Sequence, residues 1–467
     1  MIKFGTSGFR AVIAEDFTKE NVQKIAQSLC KIIKKEKSKK PVVVGFDRRF
    51  MSSNVAGWIA EVLAGNKVQT KLYTQAVPSP FVFYAVKNED LDYGFIVTAS
   101  HNPHEYNGVK ITTKGGLDAN VELTQELEKL ANSNPKIKTM NLDDAKNAGI
   151  VVDYDNTKEY FRNLNKFVSK TMKENKLKVI FNAMHGVTAE YAPLFAKMFK
   201  INKFTVVNDN EDPYFERQLP APEEEYLEKF KKEVVKGRYH IGVAVDGDGD
   251  RLGVIDENGV YYDNNILMAI AYYYLVKYRG LKGDIVKNRA SSILLDKLAE
   301  SLGQKCHEVP TGFKYVSAKM NEVNALYGGE SSGGMTMRDY IPSKDSFFSI
   351  AIILDAMVNI KKPLSAIVTE VKESCEYIST YVNSATTFKN RKKLQKALMK
   401  KTPNFSYKPK EKNTIDGTKY IFEDGSWALL RFSGTENVLR YTVEFSTEIE
   451  CERNLKAIKN FIDQYGN

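Results

Sequence analysis

The strongest constraint on the fold is an order that recurs three times along the chain: a short β-branched run followed by a longer stretch of helical spacing. Residues 41–47 read as a buried strand behind a Lys-rich helix, and residues 52–63 follow as an amphipathic helix. Residues 178–182 precede a helix that continues to Phe199, and residues 283–287 precede a helix over 292–302. Strand-then-helix order is the mark of α/β units, so three similar α/β domains are expected, although the residues themselves do not repeat. At 467 residues the chain also exceeds the roughly 250–300 that one core can organise. The C-terminal part breaks the pattern: a basic helix over 387–401, strands over 418–422, 426–432 and 438–445, and a final helix over 448–465 predict an α+β domain. Boundaries near 145, 257 and 368 divide the chain into 1–145, 146–257, 258–368 and 369–467.

Charge narrows the partners without choosing among them. Lys and Arg number 68 against 58 Asp and Glu, and the excess suits anionic ligands. The lysines and arginine between 389 and 401 read as the solvated face of a helix, because no stacking aromatics interleave them, and no nucleic acid is expected. The longest apolar run, 266–276, is shorter than the roughly 20 residues that span a bilayer, so a buried helix is expected and no membrane partner. Cys30, Cys306, Cys375 and Cys451 are far apart and form no C-x-x-C, which speaks against zinc and a disulfide framework and for a reducing compartment. Residues 1–6 turn glycine-containing before any apolar signal segment forms, so a cytoplasmic protein is expected.

Four loops carry chemistry. The strand 93–97 runs into Thr98-Ala99-Ser100-His101-Asn102-Pro103, which puts Ser100 where open α/β sheets bind ligands. The same residue types also make ordinary polar turns. A hydrolase elbow requires G-x-S-x-G, which this loop lacks. The strand 241–245 delivers Asp246-Gly247-Asp248-Gly249-Asp250-Arg251, whose crowded carboxylates repel one another unless a cation joins them. A hard divalent ion fits; a solvated Asp/Gly turn and an EF-hand are the rivals, and Arg251 stands where the EF-hand needs glycine. Arg251 is instead suited to meet a phosphate. The glycine-rich loop around Glu330-Ser331-Ser332-Gly333-Gly334 offers an acid and hydroxyls to a sugar, although a plain loop would look similar. Arg431-Phe432-Ser433-Gly434-Thr435-Glu436 ends a strand in a turn suited to a phosphate, or to no ligand at all.

In this order, and with Phe4-Gly5-Thr6-Ser7-Gly8-Phe9-Arg10, the four loops resemble those of the α-D-phosphohexomutase superfamily, closest to its phosphoglucomutase/phosphomannomutase branch. Met184-His185-Gly186 and residues 310–315 add to the likeness, which spans residues 3 to about 445. The resemblance implies three related α/β domains and a smaller fourth around a central active-site cleft, one loop from each. It implies that Ser100, in a phosphoserine loop with His101, passes a phosphoryl group to a hexose monophosphate and recovers another from the bisphosphate. Mg2+ held by Asp246, Asp248, Asp250 and the Ser100 phosphate, general acid/base work by Lys110 with Arg10 nearby, and glucose 1,6-bisphosphate as intermediate are implied with it. Glu330 and Ser332 are expected to bind O3 and O4 of the sugar, and Arg431, Ser433, Gly434 and Thr435 the phosphate that does not react.

Departures from the family pattern bear on the sugar. Gly334 stands where many bispecific members and phosphoglucosamine mutases carry histidine, and Thr98 where phosphoglucosamine mutases usually carry serine. Ser331 and Asn437 replace a commoner Glu or Gln and a proline. Gly334 together with Gly312-Phe313-Lys314 looks most like a phosphoglucomutase; a phosphomannomutase or bispecific enzyme is the alternative, since the two sugars differ only at C2. A phosphosugar-binding protein without turnover would need no Ser100 beside three aspartates. Nothing in the residues sets an oligomeric state.

Overall fold

The computed structural model of the chain describes residues 1–5, 8–433 and 437–467. Its first sheet is built around Val42–Phe46, whose five residues are all buried, as a strand covered by helices on both faces requires. Thr70–Tyr73 and Tyr93–Val97 flank it in parallel. Tyr106–Thr113 then returns antiparallel to Tyr93–Val97. The second sheet repeats this plan: Lys178–Asn182 and Ile241–Val245 are parallel, and Leu252–Asp256 returns antiparallel. The third does so again, with Ile285–Asn288 parallel to Tyr327–Gly329 and Met335–Met337 returning. In all three sheets the chemistry-bearing loop therefore has one address, the connection between the last parallel strand and its antiparallel neighbour. The fourth sheet is wholly antiparallel, and the segment between Trp427–Phe432 and Val438–Phe445 is its equivalent connection.

The expected unit boundaries need moving. Val151–Tyr154 lies beyond 145 yet pairs with Thr70–Tyr73 in the first sheet. Tyr261–Tyr262 lies beyond 257 and pairs with Leu252–Asp256 in the second. The helix Leu364–Ser374 runs through 368, because Ile367, Val368 and Val371 are buried in the third unit's core. The basic helix begins only at Arg391. The residues before it, Thr380–Thr387, form a β-branched strand paired along its length with Val438–Phe445. The expected helix ending at Phe199 is a 3-10 turn, Val187–Glu190, followed by Ala192–Phe199, with Pro193 in its first turn.

The second and third units share one apolar core. The helix Ser346–Ile360 is apolar around nearly its whole circumference, so it must be enclosed. Its Phe347 ring lies 5.6 Å from Phe161, 6.1 Å from Phe181 and 5.4 Å from Phe195. The apolar run near 270 is the buried helix Asn264–Tyr273, ending in one wider turn, Tyr274–Tyr278. No described helix is long and apolar enough to cross a membrane.

Candidate active site

Ser100 is fully buried and holds a left-handed backbone (φ 55°) at the end of Tyr93–Val97. For a residue with a Cβ this costs about 1–3 kcal/mol, and neighbours must impose it. Thr98 Oγ1 accepts from the Ser100 amide at 2.8 Å and donates to Asp47 Oδ2 at 2.6 Å. So held, Ser100 Oγ donates to Asp246 Oδ2 at 2.8 Å and lies 3.4 Å from His101 Nδ1. The metal loop comes so close that a Cβ on Gly247 would sit 2.8 Å from the Ser100 carbonyl oxygen, which explains the glycine. Burial pushes the His101 imidazole well below its ordinary range, and Arg251, Arg10 and Lys344 push the same way.

Asp246, Asp248 and Asp250 are all buried, and one carboxylate oxygen from each lies within 4.8 Å of the others, the one such group among the described residues. Burial, then Asp248 and Asp250, raise the Asp246 carboxyl well above the usual range. For Asp250, burial pulls the same way, but Lys110 and Lys344 outweigh it and lower the carboxyl well below that range. Lys110 Nζ donates to Asp248 Oδ2 at 2.6 Å and Asp250 Oδ2 at 2.9 Å. Burial works against its charge, but the two aspartates raise its pKa and keep it protonated. Ser79 Oγ also donates to Asp248, at 2.6 Å, while Asp248 Oδ1 is buried without a hydrogen-bond partner among the described residues. Clustered hard oxygens with an orphaned acceptor fit a divalent cation.

Arg10 joins the same cluster: it donates to Asn102 Oδ1 at 2.7 Å, and burial lowers its pKa against the pull of all three aspartates. The stem of Arg251 lies against the loop carrying Glu330, 3.0 Å from where a Gly333 Cβ would be, and its Nε, 3.8 Å from Asp250 Oδ1, is buried without a hydrogen-bond partner among the described residues. The structure thus brings Ser100, His101, Lys110, Arg10, Arg251 and the aspartates together.

The glycine-rich loop around Glu330 lies beside them. Glu330 is buried, and its Oε1 accepts from the Gly312 amide at 2.7 Å and from Asn288 Nδ2 at 3.3 Å, whereas Ser332 is exposed. Asp416 from the fourth unit accepts from the Thr311 amide at 2.8 Å, and a Cβ on the adjoining Gly417 would lie 3.1 Å from Arg431 Cβ. Through Asp416, Thr311 and Gly312, the strand carrying Arg431 is tied to the loop carrying Glu330. Ser433 follows that strand; Gly434 and Thr435, with Thr6, Ser7 and Glu436, lie outside the described residues.

Sequence reasoning misses Lys344, Ser79 and Asp118. Lys344 Nζ lies 3.1 Å from Asp250 Oδ2, and burial raises the Asp118 carboxyl against the pull of Lys344 and Lys110. A lysine one residue before a helix cap and a serine opening a helix carry no local signal of a partner in another unit. Gly334 is the one visible trace of Lys344: it has φ +84°, and a Cβ there would lie 2.3–2.5 Å from three carbons of the Lys344 stem. Gly334→Ala is expected to cost about 2–4 kcal/mol through strain and overpacking, and to lower turnover by moving Lys344 off Asp250. Adding Lys344→Ala should recover only part of the thermal midpoint, since the positive φ and the Cβ at 344 remain, and none of the turnover, which thermal unfolding and steady-state kinetics on both proteins would check.

Models of the phosphoglucomutase/phosphomannomutase domains match in sequence: α/β/α domain I at residues 1–138, domain II at 158–259, domain III at 263–374 and the C-terminal domain at 382–459. A Methanobrevibacter smithii protein named probable phosphoglucosamine mutase is 30% identical over 467 residues, covering 98% of this chain and 99% of its own. A Thermococcus kodakarensis phosphoglucomutase/phosphomannomutase is 28% identical over 460 residues, 97% of this chain and 96% of that one. Among solved structures, a Thermus thermophilus protein named as a phosphomannomutase superposes with a TM-score of 0.87 at 26% identity, covering 99% of both chains. The domain matches follow the four sheets in order and the relatives match nearly the full length, so the chain belongs to the α-D-phosphohexomutase superfamily, whose members are isomerase-class phosphotransferases.

Proposed function

We propose that the protein is a magnesium-dependent phosphoglucomutase that interconverts glucose 1-phosphate and glucose 6-phosphate through a phosphoserine at Ser100 and glucose 1,6-bisphosphate. The observation that carries this reading is the buried Ser100 hydroxyl, 2.8 Å from Asp246, one of three clustered aspartates of which Asp248 and Asp250 hold Lys110 and Asp250 also Lys344. Phosphorylated Ser100 gives its phosphoryl group to the free hydroxyl of a hexose monophosphate. The sugar gains an O–P bond, the Oγ–P bond breaks, the sugar hydroxyl releases a proton and Ser100 Oγ takes one up. After the bisphosphate turns end for end, the reverse transfer restores the phosphoserine and leaves the isomeric monophosphate. Asp246, Asp248, Asp250 and the Ser100 phosphate would hold magnesium, which supplies neutralisation of charge on the transferring group.

Lys110, held protonated by Asp248 and Asp250, is the group to give a proton to Ser100 Oγ as the Oγ–P bond breaks and to face negative charge during transfer. Arg431, Ser433 and Thr435 hold the phosphate that does not react. Glu330 and Ser332 bind O3 and O4, hydroxyls that keep their relative places when the sugar is flipped, whereas O2 does not.

Gly334, where many bispecific members and phosphoglucosamine mutases carry histidine, supports glucose together with Gly312-Phe313-Lys314. The relative named for glucosamine phosphate favours a second reading. A coupled glucose 6-phosphate assay, run beside turnover of mannose, glucosamine and galactose 1-phosphates, tests both. Galactose 1-phosphate, inverted at C4, should be slower by about 10–100-fold, since an unpaired buried acceptor costs about 1–3 kcal/mol. Mannose 1-phosphate, inverted at C2, should lose less. Galactose turning over as fast as glucose would refute the assignment of Glu330 and Ser332, and faster turnover of glucosamine would favour the second reading.

A further inference from the structure

Arg49 is buried beneath the loop that carries Ser100, and both terminal nitrogens of its guanidinium are hydrogen-bonded. Nη1 donates to the carbonyls of Pro103 at 2.9 Å and Tyr106 at 3.1 Å. Nη2 donates to the carbonyls of Ser100 and Asn102, the latter at 2.6 Å. Four carbonyls of one loop thus share one rigid fork, a geometry that a lysine's point charge cannot copy. Asp47 Oδ2 lies 3.5 Å from Nε.

The remaining face is covered from the second unit. The Phe215 ring centroid lies 4.9 Å from the guanidinium carbon, and Phe215 is 3% exposed. Phe215 reaches this place on an improbable backbone: Phe215, Glu216 and Arg217 are three consecutive residues with positive φ, at 51°, 52° and 60°. Such residues cost about 1–3 kcal/mol each and persist only where surroundings impose them. Asp212 supplies that restraint, accepting from the Tyr214 amide at 2.9 Å and the Glu216 amide at 2.8 Å. Arg48 pins the same segment by donating to the Asp209 carbonyl at 2.9 Å. The segment adjoins the metal loop as well, since the His185 amide donates to Asn208 and the Val187 amide to Gly247, at 2.8 and 3.1 Å.

We infer that Phe215 and Arg49 are positioning residues for phosphoryl transfer: the strained segment of the second unit presses the Phe215 ring onto Arg49, and Arg49 fixes the Ser100 loop against the three aspartates. The device makes the alignment of Ser100 Oγ with Asp246 depend on correct docking of the unit that carries Asp246. A cation over a buried aromatic face gains both attraction and a fixed plane, and misplacing a reacting atom by about 1 Å can cost about a hundredfold in rate. Neither residue is among those proposed to hold the sugar or its unreacting phosphate, so the effect belongs in turnover and not in substrate affinity.

The inference rests on Ser100 as the phosphoryl carrier, so the experiment first measures phosphoserine at Ser100 in the wild-type protein by peptide mass. Its absence would overturn the carrier reading and the positioning role with it. With phosphoserine present, Phe215→Leu keeps an apolar side chain but removes the ring, and should lower kcat about tenfold while KM for glucose 1-phosphate stays within about twofold. Phe215→Tyr keeps the ring and should return kcat to near the wild-type value. Arg49→Lys should lower kcat about a hundredfold and slow single-turnover phosphorylation of Ser100 by glucose 1,6-bisphosphate in proportion. Unchanged kcat in Phe215→Leu, or equal losses in the leucine and tyrosine variants together with a lowered thermal midpoint, would overturn the positioning role and leave the carrier reading intact.

Discussion

Ser100→Ala is expected to lower turnover by about four orders of magnitude or more, with glucose 1,6-bisphosphate supplied and the fold retained. Loss of a covalent nucleophile typically costs about that much, because binding and electrostatics alone remain. Ser100 Oγ makes one hydrogen bond of normal length, to Asp246 Oδ2. Removing it costs about 1–3 kcal/mol. Asp246 also accepts through Oδ1 from the amides of Asp250 and Arg251, both at 3.0 Å, so its carboxylate keeps partners. The left-handed backbone at 100 is imposed by Thr98, Asp47 and Arg49 and not by the serine side chain, so alanine should adopt it. A coupled glucose 6-phosphate assay measures the loss, and peptide mass should find phosphate on Ser100 in the wild-type protein and none in the variant. Near wild-type turnover in Ser100→Ala would refute the covalent mechanism.

Much of this site is legible in the sequence for a local reason. Ser100 and the three aspartates each follow a fully buried apolar strand directly, Tyr93–Val97 and Ile241–Val245, so the run that predicts the strand also places the loop at its end. Glu330 follows Tyr327–Gly329 in the same way. What stays hidden depends on distant parts of the chain. Lys344 meets Asp250 across 94 residues, and Ser79 meets Asp248 across 169. Arg49 reads as one more charge after a strand until Phe215 is seen above it.

The unit boundaries stay hidden for a related reason. The first and second sheets each gain an edge strand beyond the expected boundary, and a short strand such as Val151–Tyr154 does not announce which sheet it will join. Shared packing is equally silent: Phe347 is an apolar residue on an apolar helix, and only the folded chain reveals that it joins the cores of two units. The basic helix expected from 387 begins only at Arg391, and Thr387 instead closes the strand Thr380–Thr387, since the adjoining lysine run masks where the β-branched alternation ends.

Asp248→Asn is expected to weaken magnesium-dependent turnover by about three orders of magnitude. Two unit charges about 4 Å apart interact by about 4 kcal/mol at an effective dielectric near 20, which corresponds to about a thousandfold in affinity, and a divalent ion loses at least that when one carboxylate is neutralised. The asparagine keeps the shape and an acceptor oxygen, so Ser79 and Lys110, which meet Asp248 Oδ2 at 2.6 Å each, still find a partner. The fold is buffered further because Lys110 keeps its second contact, with Asp250 at 2.9 Å. Affinity therefore should fall far more than stability. Titration calorimetry with magnesium alone separates the two, since it reads binding without turnover, and the thermal midpoint reads the fold. Chelator should abolish wild-type turnover, added magnesium should restore it, and Asp248→Asn should need a far higher concentration for the same recovery. Full activity in chelator, or unchanged magnesium affinity in Asp248→Asn, would show that these three aspartates serve only as counter-charges for Lys110 and Lys344.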